Sequence, residues 1–213
     1  MERILAARIH GRYLVSPAES GAAGILAGFH GYGEDAETMM ERLQAIPGSE
    51  RWLKVSVEAL NRFYERRTNR VVANWMTRQD RERAIEDNAV WVASCLDAAA
   101  AESGAGLEII FAGFSQGAAM AFRAAARAAL PMAGVIAVGG DVPPELDREA
   151  LGRIGRVLLA RGARDEWYTR EKFAADQARL RAAGAAVEAL EFDGAHEWTA
   201  EVNMAATRLL GSR

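Results

Sequence analysis

The sequence predicts an α/β fold, with a mostly parallel central sheet and helices on both of its faces. Three observations carry that expectation. Short apolar runs alternate with longer amphipathic ones from Gly24 onward, the pattern of strand–helix–strand units that bury a parallel sheet between two helical layers. The chain has 213 residues, 50% of them hydrophobic and 26% charged, which is enough for one domain with a full core and too apolar for wholesale disorder. It has one cysteine, so no internal disulfide is available and packing alone must hold the fold.

The elements follow in order. Ile4 to Ile9 and Tyr13 to Val15 read as an opening pair of strands, and Gly24 to Phe29 as a buried strand that stops at His30-Gly-Tyr-Gly33. Asp35 is a suitable N-cap for a helix to about Gln44, because its carboxylate can accept from a free first-turn N–H. Leu53 to Val57 is the next strand, followed by an arginine- and aromatic-rich stretch from Asn61 to Gln79. In the helix predicted from Asp80 to Ala101, Ile85, Ala89, Val92 and Leu96 recur at three- and four-residue steps and make one buried face. Cys95 lies beside that face and reads as a small filler, with nothing near in sequence to activate a thiol. Leu107 to Ala112 is a strand, Gln116 to Ala129 a helix ended by Pro131, and Val135 to Val138 and Arg156 to Ala160 two further strands. A helix from Arg170 to Ala183, a strand from Ala186 to Phe192 and a helix from Thr199 to Leu210 complete one domain over residues 1–213.

Several function classes are excluded at this level. A net charge of −3 gives no reason to expect nucleic acid or an anionic membrane as a partner. No apolar run reaches the roughly 18 residues of a membrane span, since Arg123 and Arg127 interrupt the longest candidate, and the first ten residues lack a basic-then-apolar leader pattern. A cytoplasmic protein with no stable membrane insertion is expected. The oligomeric state stays open, a homodimer included.

Gly113-Phe-Ser115-Gln-Gly117 lies between a β-rich run and an alanine-rich helix. A serine on such a sharp strand-to-helix turn is lifted above the sheet, and the flanking glycines let neighbouring backbone come close. Ser115 is therefore the candidate nucleophile. A serine hydroxyl needs a neutral imidazole to take its proton, and there are three histidines. His10 sits between the first two strands, and His30 belongs to a separate glycine motif before the serine, where its ring is better suited to hold a loop than to move protons. His196, in the loop after the last strand, is the remaining candidate. The acid is expected between serine and histidine in chain order. Asp165, after the strand Arg156 to Ala160, is favoured over Glu166, Asp141 and Asp193. Backbone N–H groups of Tyr32 and Gln116 are the candidate oxyanion donors, one from the earlier glycine loop and one from the residue after the nucleophile.

With these pieces, the chain resembles the phospholipase/carboxylesterase family of α/β-hydrolases, which includes bacterial carboxylesterases and acyl-protein thioesterases. The resemblance rests on Phe29-His-Gly-Tyr-Gly33, Gly113-Phe-Ser-Gln-Gly117, Asp165 in a Gly-x-x-Asp turn, and His196. It implies an α/β-hydrolase sheet of eight or slightly fewer strands without a cap domain, no cofactor and no metal, and hydrolysis of small carboxylic esters or thioesters. The same roles fall on Ser115, Asp165, His196, Tyr32 and Gln116. Ala195, Glu166-Trp-Tyr168 and Gly139 to Pro143 depart from the family pattern, and Arg62 to Arg70 through Trp75-Met76 has no counterpart. These changes bear on the pocket, so acyl-protein thioesterase and lysophospholipase activities stand as alternatives to simple esterase action. A serine peptidase, an acyltransferase and a non-catalytic binding module are the alternatives from other classes; the complete constellation favours the esterase.

Two expectations concern the pocket. Only 17 residues, Gly139 to Gly155, separate two strands where larger hydrolases insert a lid, so the site should be open. Trp75, Met76 and Trp167 are candidate substrate-binding residues that would shorten an acyl channel, with ordinary core aromatics as the competing reading. Arg62, Arg66, Arg67 and Arg70 either bind an anionic substrate group through bidentate contacts or form a solvated loop paired with local glutamates.

Overall fold

The alternating runs become nine strands and six helices in a computed structural model, which describes residue 1 and residues 3–103 and 108–211. The strands are β1 (Tyr13–Ser16), β2 (Gly24–Phe29), β3 (Leu53–Val57), β4 (Asn61–Tyr64), β5 (Val71–Asn74), β6 (Glu108–Phe114), β7 (Met132–Val138), β8 (Arg156–Gly162) and β9 (Ala186–Phe192). The helices are α1 (Ala36–Gln44), α2 (Arg81–Ser103), α3 (Gln116–Arg127), α4 (Arg148–Gly152), α5 (Arg170–Ala183) and α6 (Ala200–Leu210). Leu107, expected to open a strand, lies outside the described residues.

Seven strands form one sheet in the order β1-β3-β2-β6-β7-β8-β9. All its pairs are parallel except β1 with β3. Successive side chains of a strand point to opposite faces, and the core divides accordingly. Ile25, Phe29, Phe111, Ala137 and Leu159 join the cluster built with α2, α3 and α5. Leu26, Ile110, Ile136, Leu158 and Ala160 pack with Met39 and Leu43 of α1 and Val202, Ala206 and Leu209 of α6. The expected helices on both faces are therefore present. Asp35 caps α1 as predicted, accepting from Thr38 N at 2.9 Å.

Two local readings change, and a third holds. Residues 4–9 form no strand, and Ile4, Leu5 and Ile9 are exposed; β1 is the edge strand of the sheet, and this segment does not pair with it. The stretch from Asn61 contains the β4–β5 hairpin, whose strands pair antiparallel from Asn61↔Asn74 to Tyr64↔Val71. The connection from Gly139 to Gly155 holds only the five-residue α4, with no inserted domain.

Candidate active site

Strand β6 ends at Phe114 and α3 begins at Gln116, so Ser115 alone makes the turn. It does so at φ 53° and ψ −119°, in the left-handed half of backbone space that costs a side-chain-bearing residue energy. Its N–H donates to Val138 O at 2.8 Å, which ties the strained residue to the next strand. The turn also requires α3 to sit close on the sheet. A Cβ on Gly117 would lie 2.0 Å from the Phe29 carbonyl oxygen, so this position admits only hydrogen.

Ser115, His196 and Asp165 meet at the carboxyl ends of the parallel strands. His196 Nε2 lies 2.8 Å from Ser115 Oγ, and His196 Nδ1 lies 2.8 Å from Asp165 Oδ2. The second Asp165 oxygen, Oδ1, accepts from the backbone N–H groups of Trp167 and Tyr168, each at 2.9 Å. Those two donors fix the carboxylate, so Nδ1 donates its proton to Oδ2 and Nε2 is left with its lone pair toward the serine. Arg161 fastens this turn from below, donating through Nε to Tyr168 O at 3.0 Å. The competing carboxylates are elsewhere: Glu166 is exposed, Asp141 pairs with Lys172 at 3.4 Å and Asp193 pairs with Arg164.

The glycine loop after β2 is held from several sides. Ala59 N–H donates to His30 Nε2 at 3.1 Å, so the ring proton sits on Nδ1 and is donated to Gly31 O at 2.7 Å. Burial lowers the His30 pKa from its ordinary value of 6.5 and keeps the ring neutral. Gly31 N donates to Glu34 Oε2, and Arg42 grips both oxygens of Glu34 at 2.6 and 2.7 Å. Gly33 N donates to Ala73 O and Ala73 N to Glu34 O, so the β4–β5 hairpin is stitched to this loop. Among the described residues, the backbone N–H groups of Tyr32 and Gln116 have no acceptor. The Gln116 side chain accepts from Trp75 N at 2.9 Å and donates to Met76 O at 3.0 Å. Sequence reasoning missed this clamp, because it joins residues 40 apart or more with no local signal.

These groups open onto a cleft of about 730 Å³ lined by Ser115, Gln116, Tyr32, Met76, Trp167 and His196, among others. Met76 and Trp167 thus border it, but Trp75 does not. The Trp75 indole is fully buried, donates to His30 O at 2.8 Å and packs edge-on against Phe29. It is a core residue that supports the glycine loop. The four loop arginines, Arg62, Arg66, Arg67 and Arg70, are absent from the cleft wall; Arg62 pairs with Glu58 and Arg70 with Asp35. Arg78, Arg81, Arg123 and Lys172 do line it, and none of these was among the candidate site residues read from the sequence. Among the described residues, no cluster of three His, Cys, Asp or Glu side chains could hold a metal ion, and no helix is long and apolar enough to cross a membrane.

A serine on a strand-to-helix elbow, facing a hydrogen-bonded histidine and aspartate above a mostly parallel sheet, defines an α/β-hydrolase without a cap domain. The phospholipase/carboxylesterase family model matches residues 11–207, and the chain belongs to that family. No curated protein sequence matches it significantly. Among solved structures, esterase PE8 is similar with a TM-score of 0.72 and 24% identity over 95% of this chain and 98% of that one. Acyl-protein thioesterase 2 of Zea mays has a TM-score of 0.72 at 20% identity, covering 95% and 100% of the two chains. A phospholipase/carboxylesterase from Dyadobacter fermentans has a TM-score of 0.71 at 20% identity, covering 94% and 96%.

Proposed function

We propose that the protein is a serine carboxylesterase that hydrolyses small carboxylic esters, with thioesters open to the same chemistry. The observation that carries this reading is the continuous hydrogen-bond chain from Asp165 through His196 to Ser115 Oγ, with both imidazole contacts at 2.8 Å. Ser115 attacks the ester carbonyl while His196 Nε2 takes its proton, and Asp165 stabilises the imidazolium that forms. The negative oxygen of the tetrahedral intermediate is received by the Tyr32 and Gln116 N–H groups, which have no other acceptor among the described residues. His196 then protonates the departing alcohol, and a water molecule repeats the sequence on the acyl-enzyme. The open cleft and short Gly139–Gly155 connection fit a small ester that reaches the serine directly.

Ser115→Ala tests the reading. Hydrolysis of p-nitrophenyl butyrate is expected to fall by about 10⁴-fold or more, with loss of fluorophosphonate labelling. Activity within about tenfold of the unaltered protein would remove Ser115 from the mechanism. A panel from acetate to decanoate esters, with an acyl-thioester and a lysophospholipid, separates small-ester hydrolysis from thioesterase or lysophospholipase action. Turnover that rises steadily to decanoate overturns the small-ester preference.

A further inference from the structure

Ser115, Ala119 and Arg123 follow one another at four-residue steps and all line the cleft. They form one stripe of α3, with Arg123 two turns beyond the serine, about 12 Å along the axis. Ala119 between them is small and leaves the path open. Arg123 is only 3% exposed, an unusual place for a guanidinium. Its one carboxylate partner among the described residues, Glu145, is engaged unevenly. Nε donates to Glu145 Oε1 at 2.7 Å, while Nη2 lies 2.6 Å from the same oxygen without an aligned hydrogen bond. Among the described residues, Nη1 meets only the thioether sulfurs of Met76 and Met120, each at 4.0 Å.

Arg78 and Arg81 border the same cleft and are exposed. Neither has an ion pair or side-chain hydrogen bond among the described residues, and Arg81 lies near enough to Arg123 to repel it and to Glu145 to attract it at longer range. That contrasts with Arg12, Arg42, Arg70, Arg83 and Arg127, each of which meets a carboxylate. Of the four lining cations, Lys172 is offset by Asp141 and Arg123 by Glu145. Arg78 and Arg81 leave an excess of positive charge in a chain whose net charge is −3. Like charges gathered beside a nucleophile are stabilised by an anion that reaches them, and guanidinium forks suit carboxylate and phosphate oxygens.

We propose that the cleft selects esters bearing an anionic group, carboxylate or phosphate, at the far end of the molecule from the scissile carbonyl, received by Arg78, Arg81 and Arg123. This rests on the esterase reading and names its substrate class. The anion binds away from the reacting atoms, so it contributes chiefly through kcat/KM.

Matched pairs of esters test it by pH-stat: monomethyl glutarate against methyl 5-methylhexanoate, and 2-acetoxyethyl phosphate against 4,4-dimethylpentyl acetate. At least one anionic member is expected to exceed its neutral isostere by about tenfold or more in kcat/KM at low salt. The pair with the larger ratio identifies carboxylate or phosphate as the source. The ratio is expected to shrink at about 0.5 M NaCl, where exposed charges are screened, and to fall about tenfold in the Arg78→Gln/Arg81→Gln double variant. Both side chains are exposed, and a thermal melt confirms that this variant is folded. Neutral isosteres that react as well as both anionic esters overturn the proposal, as does a ratio unmoved by the double substitution. If neutral esters are still cleaved in a Ser115-dependent way, only the anion preference fails. If no ester is cleaved and fluorophosphonate leaves Ser115 unlabelled, the esterase reading falls and takes this proposal with it.

Discussion

Replacing Asp165 by Asn changes one oxygen to NH₂ and leaves the shape of the side chain nearly intact. The surroundings decide which way the amide turns. The Oδ1 site receives two backbone N–H groups at 2.9 Å, from Trp167 and Tyr168. Placing NH₂ there would bury donors against donors, with a cost of about 1–3 kcal/mol for each unmade bond. The amide oxygen therefore keeps the backbone site, and the NH₂ faces His196 Nδ1, now 2.8 Å from Oδ2. Nδ1 must become the acceptor, the ring proton moves to Nε2, and Nε2 can no longer take the proton of Ser115. A triad with the wrong tautomer loses about 10⁴ in kcat, equivalent to about 5 kcal/mol of transition-state stabilisation. Initial rates with p-nitrophenyl butyrate measure it, and kcat and kcat/KM should drop together, because Asp165 touches no substrate. A variant that keeps kcat within about tenfold refutes the argument that the two backbone donors set the tautomer.

Two further outcomes follow from packing and burial. Gly117→Ala places a Cβ 2.0 Å from the Phe29 carbonyl oxygen, backbone that cannot swing aside. The cost should reach or pass the ~3 kcal/mol upper end of ordinary overpacking, seen as a Tm lower by about 6–12 °C; an unchanged Tm would contradict the close approach of α3 to β2. His30 is held neutral in the fold, its pKa below the ordinary 6.5, so the unfolded chain binds the extra proton. Its contribution is complete above about pH 6.5 and is lost as the pH falls below that value. Melts between pH 7.5 and 5 should therefore slope downward toward acid, and the His30→Gln variant should show a shallower slope; equal slopes would count against His30 as the linked group.

Much of the fold and of the candidate site was readable from the sequence because the signals were local. The apolar runs that became β2, β6, β7 and β8 are buried along nearly their whole length, so periodicity and composition agreed. Ser115 announced itself through its glycines, and three histidines left few choices for His196. The β4–β5 hairpin was not legible, since Asn61, Arg62 and Tyr64 are exposed and supply no buried face. Ile4 to Ile9 erred in the opposite direction: its apolar residues suit a strand, yet the sheet ends at β1. Trp75 stands one residue before the cleft-lining Met76, and adjacency in sequence did not reveal which of the two side chains turns inward. The arginines were misplaced for a related reason. Arg62 and Arg70 are conspicuous as a run, but Glu58 and Asp35 occupy them. Arg123 looked like an interruption of an apolar helix, and only the register of α3 brings it into line with Ser115.

The backbone of Ser115 also sets a limit on how stable this protein can become. Its φ of 53° and ψ of −119° hold the proposed nucleophile above the sheet at a standing cost of about 1–3 kcal/mol, met by the packing of α3 and the bond to Val138. Any residue that relieves the turn removes the hydroxyl that the turn exists to present. Selection for thermal tolerance alone would therefore act against this position, and keeping Ser115 means accepting a fold that is permanently tense at this turn.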